Sequence, residues 1–260
     1  LATAVAKEVQ LGAAAVASQL ESKKNCRTKP PPRQRSDSLS RDGTTVPLAS
    51  IPGLDPLKVP AFPLPDSLPA VGLPHLLPDA LRQRFANPPI WKPERVAEKR
   101  FGDRTPSQAA VLMGIVAHPV PTLILTQRTQ RLKTHSGQVA FPGGKLDPSD
   151  DSAVAAALRE SHEEVGLEPD QVEVLGTLPV YVTGTAFVVT PVVGLVNCHA
   201  QFKPNPDEVD DVFEVPLPFL MDPSNHRWHR FEWEGGVRDW YSMPYFDGHQ
   251  QRFIWGATAG

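Results

Sequence analysis

The densest chemistry in the sequence lies between Asp147 and Asp170. Asp147, Asp150, Asp151, Glu160, Glu163, Glu164, Glu168 and Asp170 share that span with Arg159 and with no other lysine or arginine. Glu160, Glu163 and Glu164 are spaced i, i+3, i+4, which places them on one face of a helix. Like charges stacked in this way repel, and a hard divalent cation with oxygen ligands is the natural compensation. The plain alternative is an acidic surface helix on a mildly acidic protein. Immediately upstream runs Phe141-Pro142-Gly143-Gly144. Two glycines permit a tight turn and close backbone approach to a ligand, and the Gly144 carbonyl is a further candidate metal ligand. Arg159 is placed to pair with Asp150 or Asp151 and so pin this loop to the helix. Farther along, Glu208 in Pro206-Asp207-Glu208-Val209 is an outlying candidate for ligand or general base, its alternative being a solvated loop acid. Arg128, Arg131, Lys133 and His135 gather cationic groups just before the glycines. Arginine forks suit phosphate; the alternative for each is an ordinary loop or strand-edge charge.

The elements that must position these groups follow from the hydrophobic pattern. Ser152–Val165 reads as one strong helix, with Val154, Ala157, Leu158 and Val165 on an apolar face and Gly166 as its stop. Ala109–His118 and Thr122–Gln127 read as a β-hairpin about Pro119-Val120-Pro121. Val172–Leu178, Phe187–Val196 and Val212–Leu217 are further strands. A short helix is expected from Pro78 to Phe85, with Asp79 in its first turn. Strands flanking a single strong helix indicate a mixed α/β domain. Trp228, Trp233, Trp240 and Trp255 crowd the C-terminal third and read as sheet and core packing. Phe187 and Tyr181 are expected in the core, with the lining of a substrate pocket as the alternative.

At about 150 residues per domain, 260 residues make one or two domains. Twelve prolines fall between Pro30 and Pro78, and no helical or alternating period survives that density. Residues 29–75 therefore read as an extended, largely disordered linker. Residues 1–24 are rich enough in Ala, Val and Leu to form a helix. The chain opens on Leu1, and this stretch reads as a fragment or an over-extended reading frame. The expected division is an extension over 1–75 and a domain over 76–260. A net charge of -3 excludes a global basic field for nucleic acid. No apolar run approaches the roughly 18 residues of a membrane span. Cys26 and Cys198 are too few for a disulfide framework or a four-cysteine zinc site. The expected setting is cytoplasmic, as a monomer or homodimer.

The glycine pair and the run Arg159-Glu160-Ser161-His162-Glu163-Glu164-Val165-Gly166-Leu167 resemble the Nudix box. Ser161 occupies a position where that family has a bulky aliphatic residue. The family's first glutamate falls at Ser149, Asp150 or Asp151, so that an aspartate replaces it. Leu125-Thr126-Gln127-Arg128, followed by Lys133, Gly137 and Phe141-Pro142-Gly143-Gly144, resembles the signature of the coenzyme A diphosphatase branch, with Lys133 in place of the usual arginine. Tyr181-Val182-Thr183-Gly184, Thr190-Pro191-Val192-Val193-Gly194 and Phe253–Gly260 resemble that branch too, so the likeness spans about residues 77–260.

This resemblance implies an α/β fold, a Nudix-type α/β/α sandwich with a mixed β-sheet between helices. It implies a last helix beyond Gly260. It implies metal-dependent hydrolysis of coenzyme A, or of its thioesters, to 4′-phosphopantetheine and adenosine 3′,5′-bisphosphate. Mg²⁺ or Mn²⁺ would be held by Glu160, Glu163, Glu164 and Gly144. Catalysis is assigned to Glu160, Glu163 and Arg159, and substrate binding to Arg128, Arg131, Lys133, His135 and Gly143. The implied partner is a small molecule, coenzyme A, with neither nucleic acid nor membrane. Other nucleoside diphosphate derivatives, among them ADP-ribose and NADH, are the alternative substrates. A non-catalytic binding module is expected to lack one of the three glutamates, and all three are present.

Overall fold

The computed structural model describes residues 51, 53–64, 68–90, 106–132, 135–183, 186–234 and 236–260. The expected helix over 1–24, residues 29–50 of the expected linker, and Lys133 lie outside the described residues. In chain order the elements are β1 (Ala61–Pro63), α1 (Pro78–Ala86), β2 (Ser107–Val116), β3 (Thr122–Arg128), β4 (Val139–Ala140), β5 (Gly143–Lys145) and α2 (Ala153–Val165). They continue as β6 (Val172–Thr177), β7 (Tyr181–Val182), β8 (Phe187–Val196), β9 (Val209–Pro216), α3 (Leu217–Leu220), β10 (Arg227–Trp233), β11 (Gly236–Phe246) and β12 (Gln251–Trp255).

An eight-stranded sheet has the central order β4-β3-β2-β8-β6, with β5 paired to β2, β7 to β8 and β9 to β3. β2 and β8 run parallel, from Ser107↔Phe187 to Val116↔Val196. The other pairings of this sheet are antiparallel, so the sheet is mixed. Both central strands are near-continuous apolar runs, as strands covered on both faces must be. On one face Leu112, Ile124 and Val192 pack against Ala156, Ala157 and Val165 of α2. On the other, Met113, Leu125 and Val193 meet Leu81 of α1, Leu217 and Leu220 of α3, and Met243 and Ile254 of a second sheet. That four-stranded sheet, β1-β10-β11-β12, carries the four tryptophans of the C-terminal third. Trp240 is buried, while Trp228, Trp233 and Trp255 are half-buried. The architecture is α/β, a mixed sheet with helices on both faces and an added antiparallel sheet completing one layer.

The linker expected over 29–75 differs from the structure over its described part. Phe62 of β1 pairs with Trp228 of β10. Ile51 and Val71 are buried, and the Val71 N–H donates to the Met221 carbonyl at 3.2 Å. Prolines erase the period from which a strand is read, yet Pro63 lies on the sheet's edge strand, where proline is tolerated. At the other end, β12 passes into a helical turn, Gly256–Thr258. The Thr258 hydroxyl donates to the Val139 carbonyl of β4 at 3.0 Å.

Candidate active site

Helix α2 is positioned by caps legible in its sequence. The Ser152 hydroxyl accepts the Ala155 N–H at 3.1 Å, satisfying one of the free first-turn donors. Gly166 ends the helix with φ 67°, the left-handed conformation that glycine adopts most readily. Burying the alanine face turns the acids toward β5. Glu164 is almost wholly buried, Glu160 half-buried and Glu163 exposed.

The glycine turn meets these acids directly. Glu164 Oε2 accepts the Gly143 N–H at 3.0 Å. Its Oε1 accepts from Arg128 at 3.1 Å. Gly143 has φ 151°, and a Cβ there would lie 2.6 Å from Val111 Cα and against the Ala110 carbonyl. At Gly144 a Cβ would lie 2.5 Å from both Glu160 carboxylate oxygens. Only glycine lets the strand approach the carboxylate so closely. Of the two aspartates open as partners of Arg159, Asp150 is the one engaged, in a bidentate pair at 3.0 and 2.9 Å. Arg159 also reaches Glu163 at 3.0 Å, Glu160 at 3.1 Å and the Lys145 carbonyl at 3.3 Å. It thereby ties the loop after β5 to α2.

The electrostatics separate the acids. Burial pushes the Glu164 carboxyl up to about 7, against the lowering effects of the Gly143 N–H and Arg128, with Glu208 and Glu160 adding repulsion. Burial also raises Glu160, opposed by Arg159, while Glu163 and Glu208 raise it further. Hydrogen bonds from Arg159 and then from the Asp147 N–H hold Asp150 below the usual carboxylate range.

Glu208 therefore lies close enough for its charge to act on Glu160 and Glu164, across a long sequence gap. The segment carrying it is fixed from two sides. The Lys203 N–H donates to the Val165 carbonyl at 2.8 Å and the Asn205 N–H to the Glu164 carbonyl at 2.9 Å. The Thr129 N–H donates to the Glu208 carbonyl at 3.0 Å. Arg131 donates to the Pro206 carbonyl and, through Nε, to the Thr129 hydroxyl at 3.3 Å. Thr129 and Asn205 are thus site residues that the sequence reading missed. Their contacts to Glu208 and Glu164 run through backbone groups, to which Thr129 adds its hydroxyl as acceptor for Arg131, and no side-chain pattern marks them. The expected substrate-binding cluster is distributed unevenly. Arg128 and Arg131 lie beside the site but bond within the protein. His135 is exposed, has φ 55° and contacts the Gln138 amide oxygen at 2.9 Å. Phe187 lies under the Lys145 ammonium, 5.7 Å from the ring centroid, and Tyr181 packs against the core.

Among the described residues, no three His, Cys, Asp or Glu side chains converge at ligand spacing. The donor set nevertheless fits a divalent cation. Glu160, Glu163, Glu164 and Glu208 are hard oxygen donors, they repel one another, and the local arginines do not match them in number. Gly144, without a side chain, lets the Glu160 carboxylate lie against the β5 backbone. Among the described residues no helix is long and apolar enough to cross a membrane.

The NUDIX domain family matches residues 106–247. The uncharacterized Nudix hydrolase NudL of Pectobacterium atrosepticum is 45% identical over 152 residues, 58% of this chain and 77% of that protein. NudL of Escherichia coli is 46% identical over 154 residues, 59% of this chain and 78% of that protein. Among solved structures, the Nudix hydrolase RenU from M. smegmatis shows a TM-score of 0.37 at 24% identity, over 44% of this chain and 72% of that one. With the glycine turn, the acidic helix and the mixed sheet in place, the chain belongs to the Nudix family and is a hydrolase of phosphoric anhydride bonds.

Proposed function

We propose that this hydrolase cleaves the diphosphate of coenzyme A, or of its thioesters, to 4′-phosphopantetheine and adenosine 3′,5′-bisphosphate. The observation that carries the reading is the meeting of two motifs at one carboxylate. Glu164 of the acidic helix accepts hydrogen bonds from Gly143 and from Arg128, residues near opposite ends of the Leu125–Gly144 stretch that resembles the coenzyme A signature.

Attack of water on an anionic phosphorus requires neutralised phosphate charge and an oriented, deprotonated water. Glu160, Glu163 and Glu164, with the Gly144 carbonyl, would hold Mg²⁺ or Mn²⁺. A bound divalent ion supplies charge neutralisation at the diphosphate and acidifies water. Arg159 orients Glu160 and Glu163 from one side and locks the loop after β5 through Asp150. Glu208 takes the proton of the attacking water, from a backbone position held independently of α2's side chains. The water oxygen bonds to one phosphorus, the bridging P–O bond breaks, and the leaving phosphate keeps that electron pair. Lys133 and His135 remain as candidate contacts for the 3′-phosphate, because Arg128 and Arg131 already have partners in the protein. That engagement favours one second reading, a nucleoside diphosphate derivative without a 3′-phosphate.

Purified protein incubated with Mg²⁺ or Mn²⁺ and coenzyme A, ADP-ribose, NADH or a nucleoside triphosphate separates the readings. Preferential release of adenosine 3′,5′-bisphosphate, abolished by EDTA, is the expected result. Faster cleavage of ADP-ribose or NADH overturns the coenzyme A assignment and leaves the anhydride chemistry in place.

A further inference from the structure

The Pro204–Glu208 segment has no regular structure of its own, yet its backbone is tied to the end of α2, and the Glu208 charge acts on Glu160 and Glu164. We infer that Arg131 and Thr129 form a latch that holds Glu208 at the cation site, so that Arg131 is a positioning residue rather than a phosphate ligand. This inference rests on the metal-dependent reading of the site and not on the choice of coenzyme A as substrate.

The latch sits where β3 stops following β9. The β3–β9 register shifts between Gln127 and Arg128, with Arg128 opposite Val209. Beyond that bulge the chain turns, and Thr129 becomes buried. Its N–H donates to the Glu208 carbonyl at 3.0 Å. Its hydroxyl accepts from Arg131 Nε at 3.3 Å and lies 3.4 Å from the Arg131 N–H. The outer end of the guanidinium donates to the Pro206 carbonyl. One arginine therefore spans the segment, joining the residue that binds the Glu208 carbonyl to a carbonyl two positions before Glu208. The far side is tied to the end of α2 through Asn205 and Glu164, and the Glu208 N–H returns to the Asn205 carbonyl at 3.0 Å. Arg131 is the one side chain in this set that closes the loop on its β3 side. A guanidinium held by both Nε and an outer nitrogen has a fixed plane, which suits bracing better than a flexible ammonium.

Charge gives this inference a sign that a simpler role does not share. Removing a cation near a cluster of carboxylates should strengthen binding of a divalent cation by Coulomb attraction alone. Removing a latch should weaken it, because the negative charge of Glu208 no longer stays beside the glutamates that would hold the cation. The measurement is Mn²⁺ affinity by electron paramagnetic resonance on the full chain. It is made for the native protein, Arg131→Ala, Arg131→Lys, Glu208→Gln and the Arg131→Ala/Glu208→Gln double variant. The latch predicts about tenfold weaker Mn²⁺ binding for Arg131→Ala, the scale of a lost outer-shell support. It predicts partial recovery in Arg131→Lys, and little further loss when Arg131→Ala is added to Glu208→Gln, since coupled residues are not additive. Unchanged or tighter binding in Arg131→Ala, or an equal loss in both backgrounds, overturns it. Circular dichroism of each variant distinguishes a displaced loop from an unfolded domain. If Arg131→Ala unfolds, Thr129→Val, which keeps the backbone N–H but loses the hydroxyl, carries the same cycle. Failure of the coenzyme A reading shows in product analysis and leaves this cycle unaffected.

Discussion

At the scale of single residues, Glu164 is the one buried carboxylate among the described residues. It is buried against the sheet, its two oxygens are taken by Gly143 and Arg128, and its carboxyl is raised to about 7 from an ordinary 4.5. Between those two pH values the metal-free folded state holds a proton that the unfolded chain has released. Stability of the metal-free protein therefore falls as pH rises through that window, by up to about 3 kcal/mol. Denaturant melts in EDTA at a series of pH values should show this slope, and Glu164→Gln should remove most of it, leaving the smaller part that the raised Glu160 contributes. The same proton competes with a cation, so Mn²⁺ affinity should rise with pH over the same interval. Glu160→Gln and Glu164→Gln should each abolish most turnover with the fold intact, read by product release and circular dichroism. Near-native activity in either variant would remove that residue from the metal set.

At the scale of elements, the site is a strand–loop–helix clamp. β5 brings two glycines against α2, and they serve different ends. A methyl group at Gly144 would strike a carboxylate that can rotate away, whereas one at Gly143 would strike the backbone of β2. Gly144→Ala should therefore lose activity and Mn²⁺ affinity with a small change in Tm, because Glu160 is displaced. Gly143→Ala should lower Tm as well, because the φ of 151° and the Ala110 carbonyl give it no room. The opposite ordering of the two melting temperatures would contradict this division. These elements were legible in the sequence. Ser152 and Gly166 mark both ends of α2, and the run Phe187–Val196 coincides with β8. The partner of Arg159 required the fold, because Asp150 and Asp151 are equivalent by spacing and differ only in direction. Glu208 was legible as an outlying candidate for ligand or base, but the tie of its segment to the end of α2 required the fold, since nothing local encodes the turn that brings it back.

At the scale of the whole molecule, the least legible feature is the attachment of the proline-rich segment before α1. Its prolines conceal a strand, and its contacts are with residues far along the chain. Phe62 lies beside Trp228, with ring centroids 5.8 Å apart, and the imidazole of buried His229 contacts the Val59 carbonyl at 3.2 Å. Leu76 has no exposed surface and joins the cluster that also contains Met221, Met243 and Ile254. The segment thus fastens the second sheet to the first, and the two ends of its contact should differ sharply in energy. Leu76→Ala leaves a cavity beneath α1 and should cost about 3 kcal/mol, within the range for a fully buried leucine. Phe62 stays 45% exposed on the outer side of β1, so Phe62→Ala removes only part of a ring contact and should cost less than about 1 kcal/mol. Calorimetric melts of the two variants test this directly. A segment lying loosely on the domain would give two small and similar shifts, whereas a segment built into the core gives a large loss at Leu76 and a small one at Phe62. Because β4 and the Gly143 turn rest on the same core through Val139 and Phe141, the Leu76 variant should also lose activity at temperatures where the Phe62 variant keeps it.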